Sequence, residues 1–410
     1  MKFIQNDKSK AYEYKIWKKV LSQEISLAKI INELTESKLL TRGGTNFISS
    51  LTVIDRNSET QKYIVCNADE SEPGTFKDRD IMLYKTHQLL EGIAIAGFIM
   101  GASVGYIYIR GEFSEPFAKI EQALKDSYSK GLFGKNLFNS NFSFDLYTFH
   151  GAGSYICGEF TALLESIEGK KGFPRVKPPW PATHGLYGCP TAVVNVETLA
   201  NIPIIVEKGG AWYKKLSKTA TGGGCKIFSI SGHVVNPGNY EVPFGTTFID
   251  LLTIAGGVKN GKKLKAVLPG GLSSPVLPAD LIMPLSLDYE TLTAAGSTLG
   301  SSGIIVMDET TCMVEILVRI AKFYMDESCG QCSPCREGTG WMYKIVNRIF
   351  LGKGTLKDLE TLDNIASNIS GKNICAFGDM AAFSVKSFIK HFRDEFSSKI
   401  KCGSKTYDQC

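Results

Sequence analysis

Three cysteines spaced three apart, Cys329, Cys332 and Cys335, lie in the run SCGQCSPCREGTGW at residues 328–341. Thiolates at that spacing can wrap one corner of a cuboidal iron–sulfur cluster, and a fourth ligand must then come from elsewhere in the chain. Cys375, in NICAFGD, is the candidate. Structural zinc usually draws on two separated C-x2-C pairs, a plan this run fits poorly. None of His87, His150, His184, His233 and His391 is near enough in sequence to complete a His-containing knuckle. Iron–sulfur is the expected occupant and zinc the rival. Gly330, Gly338 and Gly340 would let backbone N–H groups approach the sulfurs and tune the potential. Arg336 is expected either to add positive charge there or to be a solvated loop charge.

Two further stretches could bind a nucleotide. Asn67–Asp80 (NADESEPGTFKDRD) crowds Asp69, Glu70 and Glu72 together directly after an apolar run. Such carboxylates suit ribityl or ribose hydroxyls, and their mutual repulsion raises their pKa values; a solvated acidic turn is the plain alternative. His150–Glu159 (HGAGSYICGE) has Gly151, Gly153 and Gly158 between a strand and a helix, where backbone comes close to a ligand and helix N–H groups face phosphate. Its G-x-G-x4-G spacing departs from the dinucleotide fingerprint. Lys177 and Trp180, in a KPPWP run, offer a cation for phosphate and an indole for stacking, or else a surface lysine and a packed ring. The Arg42–Phe47 loop (RGGTNF) is by itself a weak phosphate-loop signal.

The elements that must hold these residues follow from periodicity. Residues 62–66, 106–109 and 142–149 read as strands, while 25–40, 88–100, 116–130, 159–167 and 195–206 read as helices. Strand, loop and helix in succession predict an α/β layer fold whose strand C-termini form a ligand crevice. Pro and Gly concentrate between 169 and 190, which must be an ordered loop or a linker. Strands at 226–232 and 265–268 around a helix at 248–255 suggest a small α+β module over about 224–300. From Thr310 on, helical patterns predict a bundle.

The chain has 410 residues, 43% of them hydrophobic, and a net charge of only +5, so it needs more than one core and offers no electrostatic case for nucleic acid. Residues 92–109 carry no formal charge, but their glycines break the run into a helix, a turn and a strand rather than a membrane span. The N-terminus lacks an apolar signal region and carries Asp7, which argues against a secretory signal. The remaining cysteines are scattered, as in a reducing compartment. Cys402 and Cys410 in the C-terminal tail have no role we can assign.

Taken together, RGG, YIVCNADESEPGTFKDRDIM, GAGSYICGE, LLESIEGKKGFPRVKPPWPA, GLYGCPTAVVNVETLANIP, KIFSISGHV, KAVLPGG, GSSGIIVMD, ESCGQCSPCREGTGW and NICAFGDMAAF closely resemble the NADH-binding flavoprotein subunits of respiratory complex I, the bacterial F subunit and its mitochondrial equivalent. Diaphorase subunits of soluble hydrogenases and formate dehydrogenases share these motifs. The resemblance implies a Rossmann-like FMN/NADH domain over 1–210, a small β-grasp (ubiquitin-like) domain over 224–300 and a helical [4Fe–4S] domain over 310–410. Asn67, Asp69, Glu70, Ser71, Gly158, Glu159 and Asn195 would hold flavin. Arg42, Gly43, Gly44, Phe47, Glu72, Tyr155, Lys177 and Trp180 would face NADH, with Glu159 the catalytic carboxylate. Cys329, Cys332, Cys335 and Cys375 would ligate the cluster.

The implied activity is NADH:quinone oxidoreduction, in which FMN takes the hydride and passes single electrons to the cluster and on toward quinone. The implied partners are a small [2Fe–2S] subunit and a large iron–sulfur subunit, on the cytoplasmic face of a bacterial membrane or the matrix side in mitochondria, without direct membrane insertion. Three positions depart from the family pattern: Thr52 replaces a lysine, Phe160 a carboxylate and Val194 an amide. A second expectation is therefore a non-catalytic paralogue that keeps its fold, cluster and assembly role but has lost or weakened FMN and NADH binding.

Overall fold

The computed structural model describes residues 12–401, so Asp7, Cys402 and Cys410 lie outside the described residues. The chain divides into two units. The first comprises the residues through Ser71, Phe76–Phe228 and Asn239–Thr246; the second comprises Glu72–Thr75, Ser229–Gly238 and the residues from Thr247 on.

In the first unit, four strands form a parallel sheet: β1 (Tyr63–Ala68), β2 (Val104–Ile109), β3 (Asp145–His150) and β4 (Thr191–Asn195), in the order β3-β2-β1-β4. The expected strands are present, shifted by one to three residues at their ends. The chain steps outward from β1 through β2 to β3, then returns to place β4 on the other side of β1. Loops leaving the carboxyl ends of β1 and β4 therefore part in opposite directions and open a crevice, the usual binding place of an open α/β sheet. Asn67 and Asn195 are register partners at that point.

The uncharged run at 92–109 is a buried helix, Thr86–Met100, ended by Gly101 in the left-handed conformation and followed by β2. No described helix is long and apolar enough to cross a membrane. Gly92 is required here: a Cβ would lie 2.0 Å from the Leu199 carbonyl oxygen of the helix Val196–Lys208. The acidic stretch is not all loop, because its end forms the helix Lys77–Tyr84. The Pro- and Gly-rich segment 169–190 is ordered over a short helix, Pro181–His184, and a 3-10 turn, Leu186–Gly188.

In the second unit, residues 229–232 pair in parallel with Gly303–Asp308, which runs antiparallel to Leu264–Leu268; that strand in turn pairs with Leu277–Pro278. The helix Phe248–Ile254 starts at Thr247, whose hydroxyl accepts the Asp250 N–H. Four helices follow: Met313–Glu327, Ser333–Phe350, Leu356–Ile369 and Ala376–Lys401. Val314, Leu317, Ala321 and Tyr324 of the first are buried along one apolar face.

Candidate functional site

The crevice is built from backbone turns tied by side chains. The Asn67 amide donates to the Gly158 carbonyl at 3.0 Å, and its oxygen accepts the Asp69 N–H at 3.2 Å. The Ser71 hydroxyl donates to Asp69 Oδ2 at 3.3 Å. A Cβ on Gly158 would sit 3.6 Å from Asp69 O, Asp69 Oδ2 and Ser71 Oγ. Gly158 thus forms a cradle that a side chain would fill, with a carboxylate and a hydroxyl at its wall. Asn67, Asp69, Ser71, Gly158 and Asn195 come together as expected.

Asp69 is buried, and burial pushes its carboxyl up to about 7, against the partly compensating charges of Arg110 and Arg42. The sign of its effect on stability follows. Between its ordinary range near 4 and about 7, the folded chain binds more protons than the unfolded chain, so stability falls as pH rises through that window. Asp69→Asn should therefore stabilise the flavin-free chain by up to a few kcal/mol at about pH 8 and much less at about pH 5. Thermal melts at the two pH values check this, and an equal gain at both would contradict it.

Glu70 serves the fold instead. Its two oxygens accept the Asp78 and Arg79 N–H groups at 2.8 and 3.0 Å, capping the helix Lys77–Tyr84. Behind it, the Lys77 ammonium, 1% exposed, reaches Asp78 at 2.8 Å, Glu197 at 3.0 Å and Asn195 Oδ1 at 3.2 Å. Burial raises the Glu197 carboxyl, but Lys226 and Lys77 outweigh it and hold it down at about 2. The Asn195 amide is fully placed: its oxygen also caps the following helix at Glu197 N, and its nitrogen donates to Asp78 Oδ2 at 2.8 Å.

Glu159 is similarly engaged. Its Oε2 accepts the Thr161 and Ala162 N–H groups at 2.9 Å, which starts the helix Phe160–Ile167, and its Oε1 pairs with Lys177 at 2.7 Å. Both oxygens of this carboxylate are therefore held in place. Lys177 also lies 4.3 Å over the Phe160 ring. Trp180 is 56% exposed, and Tyr155 begins the turn Tyr155–Gly158.

Arg42, Gly43 and Gly44 form the tip of a tight turn in which the Thr41 N–H donates to the Thr45 carbonyl at 2.8 Å and Gly44 adopts φ 80°. One expected NADH contact is placed otherwise. The Phe47 side chain is fully buried in the hydrophobic core and presents no face to a nucleotide. Glu72 falls in the second unit, where its Oε1 accepts the Ser273 N–H at 2.7 Å. Of the departures, Val194 is a core residue of β4, on the strand face opposite Asn195, and the Thr52 hydroxyl returns to the Ile48 carbonyl of its own helix.

Arg110 and Glu112, just after β2, were missed by sequence reasoning. Arg110 donates to the Glu70 carbonyl at 3.0 Å and to Glu112, beside Asp69. A charged pair directly at a strand's carboxyl end (IRGEF) was the available signal. These residues fit a flavin: amides and a buried carboxyl for hydroxyls and ring edges, a close backbone approach at Gly158, and nearby cations for phosphate.

In the second unit, Cys332 immediately precedes the helix Ser333–Phe350, Cys335 lies in its first turn and Cys375 directly precedes the helix Ala376–Lys401. The Ile374 N–H donates to Cys332 Sγ at 3.3 Å, which joins the two segments. The positive ends of two long helices therefore face thiolate positions, an arrangement that suits an anionic cluster. No disulfide links any of the nine described cysteines. No three His, Cys, Asp or Glu side chains among the described residues converge on one ion position. Gln331 Oε1 and Asn373 Oδ1, next to Cys332 and near Cys375, are buried without a hydrogen-bond partner among the described residues. The donor set fits the cluster.

Two glycine expectations are corrected here. Gly338 and Gly340 lie inside the helix Ser333–Phe350, and Gly338 admits Ile369, whose Cδ1 would be 2.5 Å from an added Cβ. Only Gly330, at φ 79°, shapes the cysteine loop, with its carbonyl accepting from Arg336 at 3.0 Å.

Three family models match the chain: the Nuo51 FMN-binding domain over residues 34–204, the SLBB domain over 227–276 and the NADH-ubiquinone oxidoreductase-F iron-sulfur binding region over 315–399. The F subunit of the NADH-quinone oxidoreductase of Rickettsia typhi is 49% identical over 91% of this chain and 89% of its own. Its counterpart in Rickettsia bellii is 48% identical over 91% and 90%. Among solved structures, the NAD+-reducing [NiFe]-hydrogenase in the H2-reduced state superposes with a TM-score of 0.83 at 33% identity, over 93% of this chain. This chain spans 64% of the matched hydrogenase chain.

Proposed function

Because the chain belongs to the family of NADH-quinone oxidoreductase F subunits, we infer that the crevice at the carboxyl ends of β1 and β4 is where FMN and NADH meet, and that Cys329, Cys332, Cys335 and Cys375 hold the [4Fe–4S] cluster. The chain is an NADH-oxidising, electron-input subunit with FMN and [4Fe–4S] domains. When bound, FMN supplies hydride acceptance with one-electron release, and the cluster supplies one-electron acceptance.

The protein's own part is positioning and electrostatics. The observation that carries the reading is the pairing of Asn67 and Asn195 across the strand-order switch beside the Gly158 cradle. Asn67, Asp69 and Ser71 offer hydrogen bonds to ribityl hydroxyls, and Asn195, fixed by Lys77 and Asp78, sets the floor. Arg42, Arg110 and Lys177 supply positive charge for phosphates, and Trp180 and Tyr155 supply ring faces for the dinucleotide. Phe160, where the family has a carboxylate, keeps the Lys177 ammonium in place through its ring. Glu159 orients both by capping the helix that Phe160 begins and by pairing with Lys177. The dry wall around Asp69 strengthens each of these interactions.

We assign the FMN/NADH domain to 1–210, a β-grasp-like domain to 224–300 and the cluster-bearing bundle to 310–410. The partners in this reading are a small [2Fe–2S] subunit and a larger iron–sulfur subunit, at the cytoplasmic face of the membrane or its matrix equivalent. The names of the relatives, subunits of an oxidoreductase, support an assembled state. The purified protein should show a flavin absorption spectrum, release FMN on denaturation and reduce ferricyanide with NADH. Protein that carries the cluster but no flavin would overturn the reading in favour of a non-catalytic paralogue.

A further inference from the structure

Segment 169–190 carries Lys177 and Trp180 and has little regular structure, so something must fix its path. Arg175 stands where that can happen. Its Nε donates to Glu165 and its Nη2 to Glu168 at 2.8 Å, both on or just after the helix Phe160–Ile167 at the entry to the segment. Its Nη1 donates to the Gly185 carbonyl at 2.9 Å, on the far side of Lys177 and Trp180. One planar guanidinium thus ties the two ends of the stretch together, a task for which its fork of donors is suited and a lysine is not.

The backbone of Arg175 is held as well. Its N–H donates to Thr161 Oγ1 at 2.9 Å, and that hydroxyl donates to Glu159 Oε2. The other Glu159 oxygen takes Lys177 at 2.7 Å. Two residues apart, Arg175 and Lys177 are therefore registered on the same helix cap. Long irregular segments that are held this tightly are usually binding elements.

We propose that Arg175 is a positioning residue: it locks segment 169–185 in the path that presents Lys177 and Trp180 to the dinucleotide, without touching substrate itself. This rests on the reading that these two residues face NADH. A guanidinium clamp of this kind fixes geometry on which NADH binding depends, and small displacements at such a site carry large costs.

The test uses the assembled, flavin-loaded complex with Arg175→Gln and Arg175→Lys. Arg175→Gln should raise KM for NADH on the order of ten- to a hundredfold while leaving kcat and flavin content within about twofold. It should also speed tryptic nicking at the exposed Lys170 and Lys171. Arg175→Lys, which keeps the charge without the fork, should fall between the two. Unchanged nicking, with or without a change in KM, would overturn the clamp. Faster nicking with an unchanged KM would show that the segment loosens but does not face NADH, which removes the underlying reading and the inference with it. A parallel loss of flavin and kcat would mark general damage to the fold and would equally overturn a positioning role.

Discussion

Cys375→Ser should abolish or downgrade the cluster: iron falls below the full complement of a [4Fe–4S] centre, and the low-temperature EPR spectrum of the reduced protein is lost or changed. The effect is expected to be large because ligation is shared between two distant segments. Cys329, Cys332 and Cys335 supply one loop, and Cys375 enters from the start of the last helix, pinned beside Cys332 by the Ile374 N–H. A serine hydroxyl is a harder and far less acidic ligand than a thiol, so it replaces the thiolate poorly. The fold around it should survive, since the capping box at Thr355 and Asp358 and the apolar seams of the four helices do not depend on that sulfur. An unchanged EPR spectrum with full iron content would refute the assignment of Cys375.

The contrast between the two sites explains what a sequence can disclose. The proposed cluster loop is local: three cysteines within seven positions declare their chemistry by spacing, and a fourth needs only the fold to bring it near. Five strands and the longer helices were legible too, because apolar periodicity is a local property, but β4 and the strand Gly303–Asp308 were not read. What was not legible is the work done by charged groups on partners far along the chain. Glu70 and Glu159 read as ligands in a motif, and that both also cap helices did not show in the sequence. Phe47 read as a loop aromatic, yet an asparagine cap at Asn46 starts a helix there and turns its ring into the core. Gly338 and Gly340 read as approach points for a cluster and instead belong to a helix; Gly338 packs against another. Arg175 carried no motif of its own, because its three acceptors are dispersed over residues 165–185.

The second large effect is expected at Lys77. Its ammonium is enclosed by Asp78, Glu197 and Asn195, and burial alone would lower its affinity for a proton; the carboxylates reverse this and hold it charged. Lys77→Met should destabilise the chain by roughly 3–5 kcal/mol, because Asp78 and Glu197 stay buried and Lys226, 3.6 Å from Glu197, offsets only part of their charge. The loss should propagate to the site, since Asn195 loses one of the two donors to its oxygen and the Glu70 cap loses a stabilising neighbour. Urea unfolding of the flavin-free chain and FMN titration measure the two consequences separately. Adding Glu197→Gln to Lys77→Met should recover part of the stability by removing one stranded charge, but little of the flavin affinity, because Asn195 still lacks its contact with the Lys77 ammonium. If Lys77→Met shifted the urea midpoint by less than the error of the measurement, the buried network would not be what joins the β1 loop to β4, and the account of how the flavin crevice keeps its shape would fail with it.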